Sequence, residues 1–185
     1  MRIVAGNLKG SSLYEVQNKI TRPLKDLVKE SIFNLLIHSK KISFQLEGSN
    51  ILDLYAGTGS FGLECLSRKA KNVFFIENEK TAFKTLEKNI DKLKLKSEAK
   101  IFFQDVFSFV KNNKKLKFNL IFCDAPFKDK SMEKLIELIF HNNSLDQNGV
   151  IILHRKKSDV NNFPNYFKVI DERMYGASKI IFGIF

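Results

Sequence analysis

A glycine-rich turn between an apolar run and a helical pattern is the first place where the chain could bind a cofactor. Gly57 and Gly59 permit a tight turn, in which a ligand can approach backbone N–H groups and the start of the next helix. The spacing Gly57-x-Gly59-x-x-Gly62 also matches the dinucleotide fingerprint, a weak pattern in isolation. We predict cofactor contacts from Tyr55, Ala56, Gly57, Thr58 and Gly59.

Carboxylates at or just after the ends of three successive apolar runs discriminate between the possible cofactors. Asp53 would repel a pyrophosphate but attract the ammonium group of S-adenosylmethionine, so a nicotinamide oxidoreductase is disfavoured. Glu77 suits two ribose hydroxyls, a role that both cofactor classes share. We assign Asp105 to the adenine amino group with Val106 beside the ring, although an Asp at such a position more commonly caps a helix. The acidic pattern therefore favours S-adenosylmethionine.

Short apolar runs alternate with helical patterns from about Asn50 onward, and these elements must position the carboxylates. The runs are Asn50 to Tyr55, Asn72 to Glu77, Ala99 to Gln104, Phe118 to Asp124 and Val150 to His154. Such near-continuous apolar runs are typical of parallel strands covered on both faces. Thr81 to Leu95 and Met132 to Phe140 have apolar residues at helical spacing. The alternation predicts a doubly wound α/β sheet.

The two ends of the chain depart from this alternation. Phe167 to Tyr175 and Ser178 to Phe185 predict a hairpin that closes one sheet edge. Ile3 to Ala5 and Ser12 to Val16 predict a small hairpin, and Thr21-Arg22-Pro23 predicts the start of a helix. We expect a single domain over residues 1–185, with an N-terminal appendage of residues 1–40 on an α/β core of residues 41–185.

The segment Asp124-Ala125-Pro126-Phe127 begins at the last residue of the fourth run. Because ligands in open α/β sheets bind outside the carboxyl ends of the strands, Asp124 should share an edge with Asp53 and Glu77. The alternative without a function is a polar residue that ends a strand before a turn containing proline. The segment resembles the (Asp/Asn)-Pro-Pro-(Tyr/Phe) motif of methyltransferases that modify exocyclic amino groups of bases. This resemblance implies that the Asp124 side chain and the Ala125 carbonyl accept the amine N–H groups, and that Phe127 stacks on an extruded base.

Nearly the whole chain resembles the bacterial RsmD family. The similar segments are Arg2 to Gly6 with Lys9-Gly10, Thr21 to Pro23 with Asp26, Val28, Glu30, Phe33-Asn34 and Leu36, Leu52 to Gly59, and Gly62 to Glu64. The resemblance implies a Rossmann-like class I methyltransferase with a seven-stranded, mostly parallel sheet. It also implies that S-adenosylmethionine methylates the 2-amino group of a guanine in 16S rRNA of the small ribosomal subunit. Ala125, Leu24-Lys25 and Lys29 depart from the family pattern.

The formal charge of +11, from 31 Lys plus Arg against 20 Asp plus Glu, makes a polyanion the leading partner. The bias of an A+T-rich genome towards Lys is an equally simple explanation of the same number. Basic residues near the expected site are the better candidates for phosphate contacts, which position RNA without reading its sequence. They are Arg2, Lys9, Arg22, Lys25 and Arg155, the last within the run His154-Arg155-Lys156-Lys157.

Several classes of protein are excluded or disfavoured. Cys65 and Cys123 are too few for a disulfide framework or a Cys-based zinc site, and the three His residues lack metal-ligand spacing, so we expect no metal. No apolar run approaches the roughly 18 residues of a membrane span. We expect a cytoplasmic monomer without membrane attachment. An adenine amine methyltransferase acting on DNA or RNA, and a non-catalytic ribosome-assembly factor, remain as alternatives.

Overall fold

The computed structural model describes residues 1–16, 24–126, 128 and 131–185 of the chain. Its helices and strands, in chain order, are α1 (Asp26–His38), β1 (Asn50–Leu54), α2 (Ser60–Ser67), β2 (Asn72–Glu77), α3 (Lys80–Leu93), β3 (Ala99–Phe103), α4 (Val106–Asn112), β4 (Phe118–Cys123), α5 (Met132–His141), β5 (Leu145–Lys156), β6 (Lys168–Tyr175) and β7 (Ser178–Ile184). Within the described residues, none of these helices has the length and apolarity needed to cross a membrane.

The strands form one sheet of seven in the order β3-β2-β1-β4-β5-β7-β6. The first five positions of that order are parallel, whereas β7 runs antiparallel to both β5 and β6. β1 lies between β2 and β4, so the chain builds the sheet outward from β1 in two directions. Carboxyl ends of β1, β2 and β4 therefore lie side by side, and we call this edge the carboxyl rim. The predicted mostly parallel α/β sheet is confirmed.

Both faces of the sheet are covered, which explains why the strands are almost continuously apolar. Successive residues of a strand point to opposite faces, so Ile51 and Leu120 lie in one core cluster while Leu52 and Ile121 lie in the other. The first cluster also contains apolar residues of α1, α2 and α3, and the second contains those of α4 and α5. Helices on both faces therefore hold the central strands, and with them the carboxyl rim, in place.

The strand boundaries agree with the sequence pattern except at β5. The run Asn72 to Glu77 is reproduced residue for residue. β5 is longer than the predicted Val150 to His154, because Leu145 already pairs with Phe118 of β4 and an irregularity in the register follows. Residues 146–148 between them are exposed and polar, so the apolar pattern missed them. The predicted C-terminal hairpin is confirmed as β6 and β7, joined through Gly176 at φ +58°.

The N-terminal appendage differs from its prediction. Instead of a regular hairpin, an isolated antiparallel bridge joins Arg2 to Ser12. Thr21 to Pro23 lie outside the described residues, and the described helix begins at Asp26. Ile3, together with the apolar face of α1, belongs to the same core cluster as β1. These N-terminal residues consequently pack as part of the core on that face of the sheet.

Glu64 of α2, which is fully buried, joins this N-terminal segment to the helix after the glycine turn. Its carboxylate accepts hydrogen bonds from the backbone N–H groups of Val4 at 2.8 Å and Ala5 at 2.9 Å. Arg68 Nε, one helical turn further on, donates to the same carboxylate at 2.8 Å. A buried carboxylate needs such partners, because desolvation without them costs several kcal/mol. Glu64 is therefore structural.

Lys29 of α1 is also fully buried and lies next to Glu64, with 3.6 Å between Nζ and Oε2. Its ammonium donates to the Arg2 carbonyl at 2.7 Å and to Ser60 Oγ at 3.2 Å. Burial lowers the pKa of Lys29, and the charges of Glu64 and Asp26 oppose this shift. The ammonium thus joins α1, the first residues of the chain and the start of α2.

We expect Glu64→Leu to lower the free energy of unfolding by about 3–5 kcal/mol, since it removes the counter-charge of a buried ammonium and leaves two backbone N–H groups without their acceptor. Urea unfolding measures the change. Glu47→Leu is the matched control, because Glu47 pairs with Lys69 on the surface, and a change of about 1 kcal/mol or less is expected. Equal losses in the two variants would contradict the structural role of Glu64.

Candidate active site

The glycine turn connects β1 to α2 at the carboxyl rim. Gly57 and Gly59 have φ angles of +58° and +85°, which residues other than glycine rarely adopt. A Cβ atom at Gly57 would meet nothing within 4 Å, whereas one at Gly59 would lie 2.4 Å from the Leu86 side chain of α3. Gly59 therefore packs tightly against α3, and Gly57 presents its backbone to open space. The second arrangement suits the close approach of a ligand.

Glu77, at the end of β2, holds this turn. Its Oε2 accepts from the N–H of Gly57 at 2.7 Å, and its Oε1 accepts from the N–H groups of Asn78 and Glu79 at 2.9 and 2.7 Å. A carboxylate has about four acceptor positions, so the oxygens retain capacity for a further donor such as a hydroxyl. Glu77 thus orders the turn and borders the space above it.

Asp53 lies on β1 beneath the same turn and is 1% exposed. Its Oδ2 accepts from the N–H of Gly62 at 3.0 Å. Burial raises the pKa of Asp53 well above its ordinary value; the N–H of Gly62 opposes the shift, and the nearby carboxylates of Asp124 and Glu77 add to it. The predicted grouping of Asp53, Glu77 and Asp124 at one edge is therefore observed. Such a group of acids favours a positively charged ligand.

Asp124 follows β4 and pairs with a residue that the sequence analysis did not assign to the site. Its Oδ1 lies 2.8 Å from Nδ1 of His154 on β5. His154 is buried, whereas the Asp124 side chain keeps 24% of its surface exposed. The sequence placed His154 only within a basic run, because sequence alone does not show which residues of β4 and β5 lie opposite each other.

The other residues of the predicted motif have different environments. Ala125 is buried in the cluster of β4 and α5, and Pro126 is exposed. Phe127 lies outside the described residues. Asp105 is the N-cap of α4, with Oδ1 accepting from the Ser108 N–H at 3.0 Å, and Val106 is buried. The capping role that the sequence left open is thus observed, and the assignment of Asp105 and Val106 to an adenine ring stays a prediction.

Asn89 of α3 is a second residue that the sequence analysis did not identify. Its side chain is fully buried, with Oδ1 accepting from the N–H of Tyr14 at 2.7 Å. Nδ2 donates to the Tyr14 carbonyl at 3.2 Å and to the Thr58 carbonyl at 3.0 Å. Asn89 therefore joins the N-terminal segment to the glycine turn. A lone Asn in an amphipathic helix carries no pattern that would have revealed this.

The predicted phosphate contacts divide into two groups. Arg2, Lys9 and Lys25 are exposed, and Arg2 Nε lies 3.4 Å from Asp26. Arg22 lies outside the described residues. Arg155 differs from these residues, because its side chain is 6% exposed and forms an ion pair with Asp159 at 3.0 Å. A sequence run of basic residues does not reveal this burial, and the role of Arg155 as an RNA contact stays a prediction.

In the described part of the chain, no group of three or more His, Cys, Asp or Glu side chains is arranged to hold a metal ion. The three carboxylates of the carboxyl rim are thus not spaced as metal ligands.

Comparison with known proteins identifies the family. The family model described as "Conserved hypothetical protein 95" matches residues 1–184. Ribosomal RNA small subunit methyltransferase D of Haemophilus influenzae is 35% identical over 178 residues, which is 95% of this chain and 89% of that protein. The chain belongs to the RsmD family. Ribosomal RNA small subunit methyltransferase D of Escherichia coli K12 is 31% identical over 162 residues, which is 88% of this chain and 76% of that protein.

Two solved structures of proteins described as a putative methyltransferase and a putative methylase show the same fold. A putative methyltransferase, yhhF, from Escherichia coli has a TM-score of 0.85 at 27% identity, covering 99% of this chain and 96% of that one. A putative methylase, HI0767, from Haemophilus influenzae has a TM-score of 0.79 at 32% identity, covering 98% and 96%. The fold is therefore the Rossmann-like class I methyltransferase fold, as predicted.

The buried acid predicts that Asp53→Asn raises the melting temperature of the ligand-free protein at neutral pH. Because the pKa of Asp53 is raised in the folded state, that state binds a proton that the unfolded chain has released, so stability falls as pH rises from about 3.9 through the raised value. The advantage of the variant should vanish below about pH 3.9. Thermal unfolding across pH tests this.

The matched control for this substitution is Asp91→Asn, on the exposed face of α3. It should change the free energy of unfolding by about 0.5 kcal/mol or less. An Asp53→Asn protein that is no more stable than the unsubstituted protein at neutral pH would argue against the cost assigned to the buried carboxylate.

Proposed function

We propose that this protein uses S-adenosylmethionine to methylate the 2-amino group of a guanine in 16S rRNA of the small ribosomal subunit. The observation that carries the proposal is the placement of three carboxylates, Asp53, Glu77 and Asp124, around an open glycine turn at the carboxyl rim. Relatives named as ribosomal RNA small subunit methyltransferases support methylation of rRNA with this cofactor. The motif at Asp124 supports an exocyclic amine as the methylated group, and the resemblance to the family supports the 2-amino group of guanine.

The charge and shape of the rim fit S-adenosylmethionine. Asp53 would hold the ammonium group, and Glu77 would accept the ribose hydroxyls. The open space over Gly57 is where the cofactor would approach the backbone. Two positive charges on the ligand, at nitrogen and sulfur, would offset the mutual repulsion of the rim carboxylates. Asp105 and Val106 remain the residues proposed for the adenine ring.

The chemistry of an aromatic amine explains the need for Asp124. The lone pair of an exocyclic amine is delocalised into the base, and acceptors on its N–H groups make the nitrogen a better nucleophile. The Asp124 carboxylate and the Ala125 carbonyl are the proposed acceptors. When bound, S-adenosylmethionine supplies a methyl group on a sulfonium leaving group. The residues of the rim would position the amine nitrogen towards this methyl group, so that transfer to nitrogen would release a neutral thioether and a proton.

The exposed cations of the N-terminal segment provide the proposed RNA contacts. Arg2, Lys9 and Lys25 are exposed, and Asn89 and Glu64 join their segment to the glycine turn and to α2. Phosphate contacts of this kind position the substrate and do not read its sequence. Because a base in a helix is inaccessible to the rim, the guanine must leave its stack before methyl transfer. We propose a cytoplasmic, monomeric enzyme.

The decisive assay measures transfer of labelled methyl groups from S-adenosylmethionine to small subunits that lack the modification. We expect N(2)-methylguanosine in the 16S RNA. Asp124→Ala should lower kcat about 10²- to 10³-fold, as for the loss of one positioned hydrogen-bonding group in an active site. Asp146→Ala, at an exposed position near the start of β5, is the control and should retain full activity.

Methyladenosine as the sole product would instead support an adenine amine methyltransferase. Binding to small subunits without any transfer would support the non-catalytic assembly factor. Undiminished transfer by the Asp124→Ala protein would contradict the role of Asp124 in either methyltransferase.

A second prediction concerns RNA binding. Combined substitution of Arg2, Lys9 and Lys25 by Gln should weaken binding to 16S RNA and reduce the slope of log K against log[salt] by about 0.7–0.9 for each phosphate that is no longer neutralised. Substitution of the exposed Lys111, Lys114 and Lys115 by Gln removes the same charge and is the control. Equal effects of the two triple variants would show that net charge alone, and not the N-terminal position, determines affinity.

A further inference from the structure

His154 lies directly behind the proposed methyl-acceptor site, and neither the motif at Asp124 nor the family resemblance assigns it a role. The strands β4 and β5 are parallel, with Cys123 opposite Leu153. Asp124 follows Cys123 and His154 follows Leu153, so these two residues lie at the same level of the carboxyl rim. Their side chains meet with 2.8 Å between Oδ1 and Nδ1.

The position of His154 is set by the sheet on both sides. β5 pairs with β4 on one side and with β7 on the other, where His154 lies opposite Ile180. The imidazole is buried, while the Asp124 carboxylate is partly exposed. Because the strands on both sides are hydrogen-bonded, the ring has little freedom to follow a moving carboxylate. The ring therefore defines where Oδ1 can lie.

Electrostatics explains why Asp124 needs such a partner. The carboxylates of Asp124 and Asp53 repel each other across the rim, and the pKa of Asp53 is raised in part by this repulsion. A carboxylate without a donor would relieve the repulsion by rotating towards solvent, away from the position where the amine needs an acceptor. A donor at Nδ1 opposes this rotation.

We propose that His154 is a positioning residue for methyl transfer. Its Nδ1–H holds Oδ1 of Asp124, so that Oδ2 is the oxygen presented to the N–H of the substrate amine. A carboxylate only accepts hydrogen bonds, so Nδ1 carries the proton in this arrangement. The inference rests on the proposed function, because it uses Asp124 as the acceptor for the amine.

Two substitutions separate the hydrogen bond from packing. Asn places its Nδ2 donor close to the position of Nδ1, whereas Leu fills the same space without a donor. His154→Leu should lower kcat for methyl transfer about 10- to 100-fold, the effect expected of a displaced catalytic group. His154→Asn should restore kcat to within about threefold of the unsubstituted enzyme. The KM values for RNA and S-adenosylmethionine should change less than twofold in both variants.

A double-mutant cycle tests whether His154 acts through Asp124. In the Asp124→Ala background, His154→Leu should cause no further loss of kcat, because residues that act as one unit are not additive. A merely structural role predicts equal losses in both backgrounds, together with raised KM values. If the Leu protein fails to fold, His154→Gln serves instead, because its amide donor lies one bond further out and should not restore kcat as Asn does.

The outcomes distinguish this inference from the proposed function. Methyl transfer by the unsubstituted enzyme, with equal kcat for the Leu and Asn variants, would overturn the role of His154 and leave the function intact. Independent losses in the double-mutant cycle would do the same. Absence of transfer by the unsubstituted enzyme would overturn the function and the inference together.

Discussion

Two buried carboxylates hold the glycine turn, and the remainder of the site depends on them. Asp53 accepts the N–H of Gly62 at the start of α2, and Glu77 accepts the N–H of Gly57 within the turn. Both acids end central parallel strands, so the sheet fixes their separation. The turn is therefore shaped by side chains from two strands that are apart in sequence.

This arrangement has an electrostatic cost that function can explain. Burial, and to a lesser extent the like charges of Asp124 and Glu77, disfavours the ionised form of Asp53 and so destabilises the ligand-free protein at neutral pH. A purely structural site would gain from an amide at this position. In the proposed function, a ligand with an ammonium group would offset the repulsion, so the same carboxylates that cost stability would provide affinity and selectivity for a cationic cofactor.

α2 and α3 join the cofactor side of the molecule to its N-terminal segment. Glu64 and Lys29 fix residues 2–5 against α2 through buried polar groups, and Asn89 joins Tyr14 to the Thr58 carbonyl. Buried polar contacts are directional, unlike apolar packing, so they fix relative positions closely. The exposed cations proposed to bind RNA are thus held at a defined distance from the glycine turn.

Patterns within single segments determined much of this protein in advance. Apolar runs, helical spacing, the glycine turn and the order of Asp53, Glu77 and Asp124 predicted the α/β sheet and the carboxyl rim, because period and strand ends are local properties of the chain. Only the tertiary structure paired His154 with Asp124, buried Arg155 in an ion pair with Asp159, and brought Asn89 to Thr58. These contacts depend on lateral register between strands and on helix packing against distant segments, which one sequence does not encode in any local pattern.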